Sequence, residues 1–284
     1  MLALAATVLI WAYSWVVMKQ ALAYAGPLDF AAMRYLLGAL VLFAALLASG
    51  RSLRPPPLLA TALIGLFQTA VFQGLEQWAL LGGGAGHVAL LAYTMPFWAV
   101  LLAWWLLGDR PTARHWLGLT LAAAGLLCII EPWRALGSVL STTLAIAGGA
   151  TWAAGTVLSK RMFQRHAPDV LNLTAWQMLL GGIVLGVVAL AVPQRDIVWN
   201  LPFVGALAYS VVLASSLAWW LWSIVLQRLP TTVASVSSLG VPIVGVALAW
   251  LILDEQPSHT ELFGIVLVLL ALMAVSGVGR RRRG

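Results

Sequence analysis

The sequence predicts an all-α integral membrane protein in which ten transmembrane helices form two inverted five-helix repeats around a central cavity. Three observations predict it. The 284 residues are 62% hydrophobic and 9% charged, with a mean hydropathy of +0.96, whereas a water-soluble domain carries about 25% charged residues. Second, the chain repeats itself. Trp11-Ala12-Tyr13-Ser14-Trp15-Val16-Val17-Met18-Lys19 returns as Trp152-Ala153-Ala154-Gly155-Thr156-Val157-Leu158-Ser159-Lys160, and Gly38, Pro96, Asp109, Pro111 and Gly118 are answered by Gly181, Pro242, Glu255, Pro257 and Gly264. Third, each copy holds five apolar stretches of about 20 residues, the length that crosses a bilayer once. An odd number of crossings turns the second copy upside down, and such inverted repeats build a midplane site that opens to either side in turn.

Breakers divide the chain into its elements in order. The first stretch, about 2–23, is too long for the apolar core of a signal peptide and reads as a span. Gly26-Pro27 separates it from a second at about 28–49, and Pro55-Pro56-Pro57 opens a third at about 57–80. Gly82-Gly83-Gly84 precedes the fourth, about 87–107, which contains Pro96; Pro111 precedes the fifth, about 113–131. Glu131-Pro132 closes the first repeat, set at residues 1–134, and the second covers 135–284. Its spans fall at about 138–160, 169–192, 201–226, 231–253 and 258–279, bounded by Pro168, Pro202, Pro230 and Pro257.

Charge sets the orientation. With the N-terminus inside, 12 of the 16 basic residues lie on the inner side, among them Arg280 to Arg283, and 4 on the outer: Lys19, Arg34, Arg134 and Arg195. That bias places both termini of a multi-pass protein in the cytoplasm. The net charge of +7 is explained by these anchoring arginines and implies no nucleic-acid partner. Cys128 is alone, in an apolar run, so no internal disulfide forms. His87, His115, His166 and His259 are scattered over different loops, which argues against a membrane-embedded lipid enzyme, and no phosphate-binding glycine loop is present. The reading is not an enzyme, with no catalytic residues, metal or cofactor.

Several residues together resemble a known family. Each copy opens with a Trp-containing helix ending in Lys. Each has a fourth span with a central proline, in Tyr93-Thr94-Met95-Pro96 and Leu239-Gly240-Val241-Pro242. Each then reaches an acidic turn, Asp109-Arg110-Pro111 or Asp254-Glu255-Gln256-Pro257, before a last helix opened by Gly118 or Gly264. This order resembles the EamA-type ten-helix members of the drug/metabolite transporter superfamily, and within it the chain is similar to bacterial YddG-type exporters of aromatic and other amino acids. Asp109 departs from the usual Glu by one methylene. The resemblance implies that helices one, three, four, six, eight and nine surround the cavity, that five and ten stand outside, and that transport runs outward across the bacterial inner membrane.

Candidate site residues follow from polarity and depth. The substrate cavity is assigned Trp11, Trp15, Gln73, Gln77, Tyr93, Trp152, Ser215, Trp219 and Ser237. Polar side chains avoid lipid, and deep tryptophans suit stacking and cation–π contacts. The same residues also serve as bridges and filler between helices. Glu76, Lys19 and Arg34 are assigned to coupling or to outer ion pairs, with Asp29 at the same level; Pro96 and Pro242 are the hinges. Gly118 with Ala122, and Gly155 with Ser159, allow close helix approach inside one monomer or across a dimer face.

The function expected is a secondary-active or facilitative carrier. It exports amino acids, aromatic and neutral ones favoured, and similar small amphipathic metabolites by alternating access. Its partners are that small-molecule substrate and the lipid bilayer; the oligomeric state stays open. The alternatives are a multidrug or other metabolite exporter and a sugar-phosphate-type exchanger. The last is disfavoured because no Lys or Arg is placed mid-span.

Overall fold

A computed structural model of the chain describes residues 2–130, 138–253 and 258–276. Among them are ten helical segments. They are α1 (Leu2–Ala21), α2 (Pro27–Ala48), α3 (Leu58–Gly82), α4 (Ala85–Leu107), α5 (Ala113–Ile130), α6 (Val139–His166), α7 (Val170–Ala191), α8 (Leu201–Arg228), α9 (arms Thr231–Ser237 and Gly240–Leu253) and α10 (His259–Ser276). Nine fall where the breakers place them, within a few residues, and α6 runs six residues beyond its expected end at 160, to His166. The terminal arginines and the 134/135 boundary lie outside the described residues.

Local chemistry explains the ends. Ser138, Asp169 and Asn200 cap α6, α7 and α8 by accepting from the N–H groups of Ser141, Asn172 and Phe203, which satisfies donors that an α-helix leaves open. Pro27 and Pro202 stand in first turns, where a missing N–H costs nothing. Gly108 ends α4 in the left-handed region at φ 74, a conformation open to glycine without a Cβ clash.

The two copies share irregularities. A π-helical stretch interrupts α3 at Gly65–Val71 and α8 at Ser210–Leu217. A break divides α4 at Tyr93-Thr94 and α9 at Ser238-Leu239, so Pro96 and Pro242 each sit in the first turn of a second arm. Neighbours are exchanged in the same way. Helix α3 packs on α6 and α7, while α8 packs on α1 and α2; α2 lies against α7, and α5 against α10.

Six segments, α1 to α4, α7 and α8, are long and apolar enough to cross a membrane; α5, α9 and α10 contain shorter apolar helices. Helix α6 is the least apolar, carrying Ser141, Thr151, Thr156, Ser159 and Lys160. It touches α3, α4, α8 and α9, and a helix enclosed by protein needs no continuous lipid-facing surface.

Backbones meet where side chains vanish. A Cβ on Gly65 would stand 2.4 Å from the Gln177 carbonyl oxygen, and one on Gly181 2.4 Å from that of Gly65. The open question about the other small residues is answered too: Gly118 faces Val275 of α10, and Gly155 faces Gln68 of α3. Both approaches are inside one chain.

Candidate functional site

Helix α1 presents Trp11, Ser14, Trp15 and Met18 along one face, the i, i+3, i+4, i+7 positions of an α-helix. Opposite them α2 supplies Arg34, α3 Phe72 and Gln73, α4 Tyr93 at its break, α6 Trp152 and α8 Trp219; together these residues line a cavity. Phe72 and Gln73 follow the π-helical stretch of α3, and Trp219 follows that of α8. Each π-helical stretch rotates the helix beyond it, and this rotation faces those side chains inward.

The centre is aromatic. Trp152 stacks on Phe72 with ring centres 5.1 Å apart and meets Trp11, Tyr93, Trp219 and Trp222 at 5.6, 5.5, 6.3 and 5.9 Å. Trp11 in turn lies 5.1 Å from Trp219 and 5.7 Å from Trp222. Edge-to-face pairs of this kind contribute about 0.5–1.5 kcal/mol each beyond their burial. They form one cluster, of which Trp11, Phe72, Tyr93, Trp152 and Trp219 line the cavity. The space left is small, about 30 Å³ for the centres of water molecules. One water needs about 10–15 Å³ by that measure, so this state holds roughly two waters and no organic substrate.

Polar groups line the rest. Trp11 donates Nε1–H to the Ala214 carbonyl, 3.2 Å away inside the π-helical stretch of α8, and Trp219 donates to the Tyr35 hydroxyl at 3.0 Å. Trp152 Nε1 and Gln73 Oε1 are buried without a hydrogen-bond partner among the described residues. Arg34 is 2% exposed. Its Nε donates to Ser215 Oγ at 3.0 Å, its Nη1 reaches Met18 Sδ, and its guanidinium stands 5.0 Å from the Tyr35 ring centre.

Of the nine residues assigned to the cavity, Trp11, Trp15, Gln73, Tyr93, Trp152 and Trp219 line it. Ser215 stands behind Arg34. Gln77 is buried with both polar side-chain atoms unpaired, and Ser237 lies on α9, which adds nothing to the wall among the described residues. Helix α2 takes a place in the wall that the resemblance did not give it.

The outer ion-pair group does not form. Lys19 donates to the backbone carbonyls of Leu80 and Gly83, Arg34 is engaged as above, and Glu76 is fully buried with neither carboxylate oxygen hydrogen-bonded. Its carboxylate lies against α6, where a Cβ on Gly148 would come 2.2 Å from Oε1. The one ion pair among the described residues joins Arg51 and Asp169 at the surface, 3.0 Å apart. The exclusion of a deep cation is likewise corrected. Counting Arg34 with the helix ends hid that it starts two turns into α2 and points to the cavity. Ser14, Met18 and Phe72 are further wall residues that polarity and depth do not pick out; the first two share the face of α1 with the tryptophans, Ser14 three residues after Trp11 and Met18 three after Trp15.

Comparison with known proteins agrees with this architecture. The model of the EamA-like transporter family matches residues 1–131 and 140–277. The uncharacterized transporter YoaV of Bacillus subtilis (strain 168) is 26% identical over 291 residues, covering 100% of this chain and 98% of that protein. A probable amino-acid metabolite efflux pump of Escherichia coli (strain K12) is 27% identical over 282 residues, covering 93% and 90%. A solved crystal structure superposes with a TM-score of 0.79 at 21% identity, over 100% of this chain and 98% of that one.

Proposed function

The chain belongs to the EamA-like transporter family, and from that membership we propose that it carries amino acids out of the bacterial cell across the inner membrane. Aromatic and neutral amino acids, with similar small amphipathic metabolites, are its substrates. The observation that carries this reading is the cavity itself: six of its ten lining residues are aromatic, with Ser14, Gln73 and Arg34 beside them. An apolar side chain stacks on such walls, while the polar groups meet the amino-acid backbone. The similarity to a probable amino-acid metabolite efflux pump supports the same substrate class.

Alternating access is the transport cycle that this reading assigns to the inverted repeats. Residues 1–134 and 135–284 act as the two halves, with both termini in the cytoplasm. The cluster of Trp11, Trp152, Trp219 and Trp222 borders the cavity. Substrate enters when the halves rock apart about the breaks at Pro96 and Pro242. The family points to transport rather than catalysis. Glu76, buried and unpaired, is the carrier of the coupling proton; without it the protein is a facilitator.

Uptake into proteoliposomes tests this, with phenylalanine, tryptophan, threonine, lysine, glutamate, a lipophilic cation and a nucleotide sugar, with and without a pH gradient. The expected result is selective movement of neutral amino acids, reduced by Trp15→Ala and Trp152→Ala. Movement of the nucleotide sugar or the lipophilic cation alone would overturn the substrate assignment and leave the fold intact.

A further inference from the structure

We propose that Arg34 is the anion anchor of the cavity, the group that receives the carboxylate of the transported molecule. The proposal rests on the reading of the aromatic cavity as the substrate site.

The repeat supplies the first argument. In the second copy, Gln177 holds the place of Arg34, four residues before the matched glycines Gly181 and Gly38. Thr69 and Ser215 hold matching places in the two π-helical stretches. Both bridges form: Arg34 Nε to Ser215 Oγ at 3.0 Å, and Thr69 Oγ1 to Gln177 Oε1 at 2.8 Å. A neutral amide therefore suffices to join a second helix to the π-helical stretch of its partner. The charge of Arg34 is surplus to that structural task.

The second argument is electrostatic. A guanidinium inside a membrane protein is costly to bury unless an opposite charge or a wet cavity meets it. Arg34 is 2% exposed and has no ion-pair partner among the described residues. It lines the cavity, and its two bonds, through Nε and Nη1, go to a hydroxyl and a thioether. Neither neutralises it. A carboxylate in the cavity does, by the charge-assisted bond that the planar fork of arginine suits. Trp152 Nε1–H, buried and unpaired on the same wall, is a neutral donor to the same anion. The aromatic floor then takes the apolar remainder of the molecule, so one end of the substrate is fixed by charge and the other by stacking.

Reconstituted full-length protein tests this with four probes competing against labelled phenylalanine: unlabelled phenylalanine, 3-phenylpropionate (carboxylate, no amine), 2-phenylethylamine (amine, no carboxylate) and phenyl phosphate. 3-Phenylpropionate is expected to compete and 2-phenylethylamine not to. Arg34→Gln is expected to weaken carboxylate ligands about 10- to 100-fold, as loss of a charged hydrogen bond does, with Arg34→Lys between the two. If Arg34→Gln does not fold, the analogue series on the unaltered protein decides. Competition by the amine alone, or an equal loss for both analogues in Arg34→Gln, overturns the anchor. If phenylalanine moves with no dependence on Arg34, the anchor fails while the amino-acid reading stands. If direct uptake shows phenyl phosphate moving through Arg34 and no amino acid moving, the anchor stands and the amino-acid reading fails. If no anionic probe binds or moves, both are overturned.

Discussion

Lys160 does in the second repeat what Lys19 does in the first: each ammonium closes the carbonyl end of the third helix of its own copy. Lys19 Nζ donates to the Leu80 and Gly83 carbonyls at the end of α3, the latter at 2.8 Å. Lys160 Nζ donates to those of Leu226 and Leu229 at the end of α8, at 3.0 and 2.8 Å. The last carbonyls of a helix have no partner within it and carry the negative end of its dipole, so a cation there satisfies both. Inversion of the copies puts the two caps at opposite ends of the bundle. The Trp-to-Lys motif that marks the repeat in sequence is therefore a tie between the first and third helices.

Replacing either lysine should loosen that tie without touching the cavity. Lys19→Met and Lys160→Met are each expected to cost about 1 kcal/mol, lowering Tm in detergent by about 2–4 °C. Substrate competition by the folded fraction should stay unchanged. A fall in affinity with Tm intact would make the lysines part of the binding site instead.

At the contact of α3 with α7 the expected effect is larger. Gly65 and Gly181 each face the other helix's backbone at 2.4 Å from where a Cβ would stand, and a carbonyl oxygen does not move aside as a side-chain tip does. Gly181→Ala should cost about 1–3 kcal/mol through forced separation of the helices. Gly205→Ala, in open space, should be neutral or slightly stabilising in the same thermal melt.

How far the sequence discloses this molecule depends on the scale of the signal. The spans are legible because a bilayer requires about 20 apolar residues and clusters of Pro, Gly and charge mark the turns between them; α1 through α10 fall accordingly. The inward faces are legible in part. Trp11, Trp15 and Trp152 stand out because a belt at the lipid interface does not explain a tryptophan so deep. The positions after the π-helical stretches are harder, since one extra residue per turn rotates everything beyond it, and no composition signals that Ser215 faces Arg34 rather than the cavity. Charges mislead most. Sorting basic residues by side is right for loops, but Arg34 lies two turns inside α2, bonded to Ser215, and neither carboxylate oxygen of Glu76 has a hydrogen-bond partner among the described residues.

Glu76 gives a prediction about coupling. Its fully buried carboxyl has no hydrogen-bond partner among the described residues. The charged or titratable groups on the elements packed against α3 are otherwise occupied or apart. Lys19 caps α3 and Arg34 is held by Ser215. Tyr93 stands within electrostatic reach of Glu76, while Asp29 lies in the first turn of α2 and His87 in that of α4. One turn along, Phe72 and Trp152 stack in the cavity wall, so a proton taken up at Glu76 acts next to the substrate. Glu76→Gln should therefore abolish stimulation of uptake by a pH gradient while leaving substrate exchange at equal pH. Unchanged stimulation in the variant would remove Glu76 from coupling.

The breaks in α4 and α9 are where the repeats are expected to bend. At the first, Thr94 N–H bonds the Leu91 carbonyl and Phe97 N–H that of Thr94; at the second, Leu239 N–H bonds Val236 and Val241 N–H bonds Ser238. These tight turns replace the α-helical ladder, and the proline that follows cannot donate to restore it. Pro96→Ala and Pro242→Ala return an N–H and remove the ring, so each span gains the option of one continuous helix. The first break includes Tyr93 of the cavity wall, and each break joins two helical arms, so straightening them should favour one state over the other. The expected outcome is a shift in the distance distribution between spin labels at the ends of α4 and α9, slower transport, and a change in Tm of only a few degrees. A distribution identical to that of the unaltered protein, with transport unchanged, would show that both prolines shape fixed kinks and that rocking is centred elsewhere.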